Sequence, residues 1–307
     1  MRKIAYYVIF LIFTMNTFAA HAELHPLDNF GENPGELSAT YYSTSTQKKI
    51  GVILLHGCVQ NGKTFASNSG FLGLAKKEGF NLLIPQQAST NNIQSCFNWF
   101  STQDTDLDSG EMLSLKNMVL AFKKKTQSTQ LYLAGLSAGG AMASAFMYQY
   151  PELLDGVAIV AGIPYPCADN LTKAISCMRS GPNQSAELMA KTIQKRRSTD
   201  IELPRLTIWT GLTDSVVNPK NSSFGALQWL AFQNVSLTKQ EKQHQGFKKT
   251  VWENTQNIPV LELIEVENFG HGLMINRQEN SFESPSAYLL PAPISASKNI
   301  VKFWLKD

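Results

Sequence analysis

With 307 residues and 43% hydrophobic content, the chain has ample apolar side chain for a large core. That length suits one large α/β domain or two small ones. A net charge of only +3, with Lys and Arg scattered apart from Lys123-Lys124-Lys125 and Lys195-Arg196-Arg197, argues against a nucleic-acid surface.

In chain order, Arg2 and Lys3 precede the apolar stretch Ile4 to Phe13, and Ala20-His21-Ala22 supplies a small-x-small cleavage pattern. Residues 1–22 therefore read as a signal peptide, removed on export, and 23–307 as a single catalytic domain in the periplasm or medium. The apolar run is shorter than the roughly 20 residues of a membrane span, so no stable membrane anchor is expected after cleavage. Apolar runs then alternate with helical patterns. Strands are expected at 50–55, 80–84, 130–134, 157–161, 205–210 and 261–266, and helices at 71–78, 111–125, 138–150 and about 295–305. Strands joined by helices predict a mostly parallel sheet with helices on both faces, whose chemistry lies beyond the carboxyl ends of the strands.

Four cysteines, Cys58, Cys96, Cys167 and Cys177, in an exported chain suggest two disulfides. Three pairings are open; we favour Cys58–Cys96 and Cys167–Cys177. Their spacing matches no zinc pattern, and neither a metal nor another cofactor is expected.

The most informative stretch is Gly135-Leu136-Ser137-Ala138-Gly139. Here an apolar strand pattern gives way to small residues that open an apolar helix. A serine on such a strand-to-helix turn is exposed on a strained backbone, which requires small neighbours two residues to either side. A serine hydroxyl becomes a nucleophile only when a base takes its proton, and the base needs a third group to orient it. His271, between Gly270 and Gly272 after the strand at 261–266, is the candidate base. His25 lies in a stretch expected to be unordered, and His56 is read as bonding its own turn. Asp214 follows the strand at 205–210 and is the candidate acid. Its rivals are weaker: Asp155 precedes a strand and so lies at the wrong end of the sheet, and Asp169, Asp200 and Glu202 have no fixed direction. Ser137, Asp214 and His271 follow the chain order of α/β-hydrolases. The Ala138 N–H and the Cys58 N–H are the expected oxyanion donors. A Cys58–Cys96 bridge would bring Phe97, Trp99 and Phe100 to the mouth of the site as an apolar subsite.

With these residues in view the chain resembles the polyhydroxybutyrate depolymerase family of esterases. Leu55-His56-Gly57-Cys58-Val59-Gln60 is similar to that family's oxyanion turn, and Cys96-Phe97-Asn98-Trp99-Phe100 to its C-W-N-W-F motif. Residues 134–141 match its A-G-L-S-A-G-G-A elbow, Ile163-Pro164-Tyr165 its L-P-Y segment, and 211–219 its acid loop. The resemblance implies an exported serine esterase with an α/β-hydrolase fold acting on hydroxyalkanoate polymer or oligomer, with feruloyl and acetylxylan esters as the alternative. A reading of another class is a non-catalytic binding protein on the same fold. Three departures stand out: Phe97 replaces a tryptophan, Cys167 and Cys177 resemble an extra bridge, and Gly272-Leu273-Met274-Ile275-Asn276 replaces A-W-S-G-G after the histidine. No linker or separate polymer-binding domain is expected.

Overall fold

The computed structural model describes residues 24–46, 48–196, 202–233 and 235–305. The expected signal peptide, and Asp200 among the rival acids, lie outside them.

In chain order the elements are β1 (His25–Pro26), β2 (Ser38–Tyr42), β3 (Ile50–Leu55), α1 (Gly62–Asn68), α2 (Phe71–Glu78) and β4 (Asn81–Gln86). Next come α3 (Thr102–Thr105), α4 (Gly110–Thr126), β5 (Gln130–Leu136), α5 (Ala138–Gln149), β6 (Gly156–Val160), α6 (Leu171–Ser180) and α7 (Ala186–Arg196). The remainder comprises β7 (Arg205–Gly211), α8 (Lys220–Gln233), β8 (Thr238–His244), β9 (Phe247–Glu253), β10 (Pro259–Val266), β11 (Leu273–Ile275), β12 (Leu289–Pro291) and α9 (Ala296–Leu305). Every expected strand and helix is present, with ends displaced by at most two residues.

Ten strands form one sheet in the order β1-β2-β4-β3-β5-β6-β7-β10-β9-β8. The six from β4 to β10 run parallel, and both wings are antiparallel. The parallel strands are apolar on both faces because helices cover both. Ile53, Leu55, Leu133, Ile159 and Ile208 face one layer of the core, with Met112, Met142, Phe146 and Trp229 of α4, α5 and α8. Val52, Leu54, Ala134, Val160 and Trp209 face the other, with Phe65, Phe71, Ile300 and Trp304 of α1, α2 and α9. Alternation along each strand thus divides one sheet between two cores.

One region differs from expectation, and a second has no sequence pattern from which to expect it. His25 is ordered: β1 pairs with β2, and the His25 ring lies 5.5 Å from that of Tyr41. The stretch around His244 forms the edge strand β8, exposed on both faces apart from His244 itself. Its side chains carry no apolar alternation, so the strand is held by backbone pairing with β9. Among the described residues no helix is long and apolar enough to cross a membrane.

Candidate active site

The turn between β5 and α5 holds Ser137 at φ 55°, ψ −118°, a backbone conformation that few side chains adopt. The residues two positions to either side have no room for more than glycine. A Cβ on Gly135 would collide with the Gly139 carbonyl, and one on Gly139 with the carbonyls of Leu55 and His56. The serine N–H donates to Val160 O at 2.9 Å, which fixes the turn against β6.

The acid and histidine turns interlock at the ends of the adjacent parallel strands β7 and β10. Leu212 N–H donates to Val266 O (2.8 Å) and Thr213 N–H to Phe269 O (3.1 Å), while a Cβ on Gly211 would strike the Phe269 carbonyl. Asp214 Oδ1 accepts the N–H groups of Val216 and Val217, each at 2.8 Å. Its Oδ2 accepts His271 Nδ1–H at 2.7 Å, and His271 Nε2 lies 2.9 Å from Ser137 Oγ. A carboxylate can only accept, so Nδ1 carries the imidazole proton and Nε2 turns its lone pair to the serine hydroxyl. The Asp214 side chain is wholly buried and that of His271 is 8% exposed. The structure therefore brings Ser137, Asp214 and His271 into one hydrogen-bonded chain.

The rival acids are elsewhere. Asp155 accepts Leu131 N–H (2.7 Å) at the amino end of β5. Asp169 pairs with Lys173 (2.6 Å) at the surface. Glu202 is exposed ahead of β7.

Cys58 and Ala138 line a cleft of about 140 Å³ together with Ser137 and His271. Among the described residues neither backbone N–H of this pair meets an acceptor within the chain. The Cys58 peptide is held from behind. His56 Nδ1–H donates to Gly57 O at 2.7 Å, and the Gln60 side chain accepts Gly57 N–H at 2.8 Å. His56 Nε2 accepts Gln87 N–H at 3.1 Å, so this ring is neutral and engaged at both nitrogens. Burial holds the His56 pKa below its ordinary value, outweighing the raising effect of the Gly57 carbonyl.

Both disulfides form as favoured, Cys58–Cys96 and Cys167–Cys177. The first joins the turn after β3 to the 92–98 loop, where Val59 N–H also bonds Gln94 O (2.6 Å). That loop is braced by the buried Glu111, which accepts from Asn98 N–H (2.9 Å) and the Asn98 amide (2.7 Å). Burial pushes the Glu111 carboxyl up to about 8, against hydrogen bonds that pull it down. The second bridge sits beside the cleft: Cys177 packs with Ala141, Ile163 and Val217, and Met178 lines the wall.

The three aromatics expected at the mouth separate. Trp99 lines the cleft. Phe97 does not: it is fully buried, 5.0 Å ring to ring from His56, and belongs to the core with Leu55 and Met112. Phe100 stands edge-on to Trp99 at 5.7 Å and does not line the cleft either. The remaining wall includes Ile163, Met178, Val216, Val217, Gln60 and Tyr288. Of these, Gln60, Ile163, Val216 and Val217 lie within motifs legible in the sequence, whereas no local signal points to Met178 or Tyr288. Among the described residues no three His, Cys, Asp or Glu side chains gather in a way that could hold a metal ion.

The chain matches the family model described as Esterase PHB depolymerase over residues 39–242. It is 29% identical over 312 aligned positions to poly(3-hydroxyalkanoate) depolymerase C of Paucimonas lemoignei, covering 99% of this chain and 75% of that protein. It is 26% identical to a feruloyl esterase B of Thermothelomyces thermophilus, covering 84% of this chain and 91% of the relative. Among solved structures, an acetyl xylan esterase from Aspergillus awamori superposes with a TM-score of 0.72 at 20% identity, covering 81% of this chain and 94% of that one, a likeness of fold. The chain has the α/β-hydrolase fold and belongs to the esterase PHB depolymerase family of carboxylic ester hydrolases.

Proposed function

We propose that this protein is an exported serine esterase that cleaves hydroxyalkanoate esters, as polymer or oligomer. The observation that carries the reading is the Asp214–His271–Ser137 hydrogen-bonded chain opening on an apolar cleft. In the first step Ser137 Oγ attacks the ester carbon and its proton passes to His271 Nε2. Asp214 stabilises the imidazolium, and the Ala138 and Cys58 N–H groups receive the carbonyl oxygen as it becomes an oxyanion. Breaking the bond to the alcohol oxygen, with the proton returned from Nε2, releases the alcohol and leaves an acyl-enzyme. Water, deprotonated by the same imidazole, then frees the acid and restores the serine.

The cleft supports a small acyl group. At about 140 Å³ it is smaller than the roughly 300–1,000 Å³ of pockets that enclose drug-sized ligands. A hydroxybutyryl group suits this space better than a feruloyl group. An acetyl group suits it too, so acetylated polysaccharide is the second reading, in keeping with the relatives named as acetylxylan esterases. The charged start at Arg2 and Lys3, the apolar run to Phe13, the Ala20-His21-Ala22 pattern and two disulfides that need an oxidising compartment support export, with cleavage after Ala22 leaving 23–307 as one catalytic domain.

One preparation tested on hydroxybutyrate oligomers, acetylated xylan, methyl ferulate and short nitrophenyl esters decides among these substrates. Preferred turnover of the oligomers is expected, and preferred release of acetate or ferulate from the others overturns the assignment. A fluorophosphonate probe should label Ser137; an unlabelled, folded protein would instead be a binding protein on the same fold.

A further inference from the structure

The segment after His271, where the chain departs from the family pattern, is fastened at both ends of a loop. Strand β12 runs parallel to β11, pairing Leu289 with Leu273 and Leu290 with Met274, and residues 276–288 form the loop between them. At its base the buried Glu283 carboxylate accepts Asn276 N–H (2.6 Å) and the hydroxyls of Ser295 (2.6 Å) and Ser297 (2.8 Å). At its far end Ala287 O accepts from the Gln60 side chain (3.4 Å), and Tyr288 O accepts Leu273 N–H (2.8 Å). A Cβ on Gly272 would approach that Tyr288 oxygen to 2.7 Å, so the two strands meet closely only because residue 272 is glycine.

These ties hold Tyr288 at φ 62°, where a bulky residue is rarely found. Its ring lies edge-on to His271 at 5.9 Å, it lines the cleft, and it is 40% exposed. Among the described residues its hydroxyl has no hydrogen-bond partner within the chain. Position beside His271 defines which part of a substrate it meets. The imidazole returns its proton to the departing oxygen, so the leaving alcohol lies along His271. On the other walls Ile163, Met178, Val216 and Val217 offer no side-chain donor, Gln60 is engaged with Gly57 N–H and Ala287 O, and Trp99 carries the one further side-chain N–H.

We infer that Tyr288 is a specificity-determining residue for the leaving alcohol, its O–H donating to a carbonyl that the alcohol carries. The inference rests on the hydroxyalkanoate reading. In such an ester the leaving oxygen is the hydroxyl of the next unit, whose own carbonyl stands two carbons away. That oxygen accepts and has no proton to give, the complement of an unpaired phenol. A plain alkyl alcohol has nothing there.

The test uses two esters with the same acyl group and the same branching at the alcohol: methyl 3-(butyryloxy)butanoate, which carries the carbonyl, and sec-butyl butyrate, which does not. The wild-type protein should favour the first. In Tyr288→Phe, which keeps the ring, the ratio of the two kcat/KM values should fall about threefold to tenfold, the worth of one neutral hydrogen bond. A ratio unmoved by Tyr288→Phe, in a wild type that cleaves hydroxybutyrate trimer, overturns the role of Tyr288 alone. A wild type that cleaves both butyrates without preference and leaves the trimer intact overturns this inference together with the substrate assignment.

Discussion

His56 and His271 look alike in the sequence and have opposite capacities in the fold. Each follows a parallel strand, β3 or β10, has glycine beside it, and engages both ring nitrogens. What differs is the partner. His271 places Nε2 against a hydroxyl that can surrender a proton, and Nδ1–H against a carboxylate that welcomes the resulting charge. The Nε2 lone pair of His56 accepts the Gln87 backbone N–H, which does not surrender its proton, and its Nδ1–H meets a neutral carbonyl. Burial alone therefore does not mark a catalytic histidine. In the mechanism we propose, an ionisable partner on each nitrogen sets His271 apart, whereas His56 holds the Gly57–Cys58 peptide that lines the cleft.

The widest separation between the two histidines should appear in turnover. Ser137→Ala and His271→Ala should each lower kcat by several orders of magnitude, and the double variant should be no worse than either. Asp214→Asn, which favours the wrong tautomer, should cost on the order of 10⁴-fold. His56→Ala should cost only about tenfold to a hundredfold, less than the ~10²–10³ of deleting an oxyanion donor. Equal losses at positions 56 and 271, measured on folded protein with one small ester, would break the distinction.

The disulfides sharpen it further, because Cys58–Cys96 anchors the turn that His56 holds. Cys58→Ser and Cys96→Ser should each destabilise the protein by about 2–5 kcal/mol in denaturant unfolding, and the pair together by little more. Both keep the Cys58 N–H, so the chemistry persists at a reduced rate. Cys167→Ser should raise KM more than it lowers kcat, since Cys177 backs the wall containing Met178. The reverse pattern would place the second bridge nearer the reacting atoms than the structure does.

The smallest effect expected is on stability against pH. The folded pKa of His56 lies below its ordinary value of 6.5. Below about pH 6.5 the unfolded chain takes up a proton that the native ring refuses, so this contribution is complete above that pH and is lost as pH falls toward the lowered value. Melting temperature should therefore decline on acidification from pH 6.5, and His56→Gln should flatten that decline. An unchanged decline in His56→Gln would assign it to other groups.

Much of this was written locally. Gly135 and Gly139 are demanded by carbonyls within a few residues or on the adjoining strand, so the elbow can be read without knowing the rest of the fold. The same holds for the parallel strands: continuous apolar runs need helices on both sides, and Ser137, Asp214 and His271 each follow such a strand. A residue directly after a parallel strand has its place set by the strand, and topology gathers those places at one edge of the sheet. The cleft wall obeys no such rule. Phe97 and Trp99 are two residues apart in one motif, yet one enters the core beside His56 and the other reaches the cleft. The polar pairing of β8 and β9 was equally hidden, since backbone bonds leave no side-chain pattern. Tyr288 is 17 positions beyond His271 and 151 beyond Ser137 by residue number. It comes back to both only because β12 pairs with β11 and Gln60 holds the loop end. Those contacts join distant parts of the chain, and their side chains carry no period that a local reading can follow.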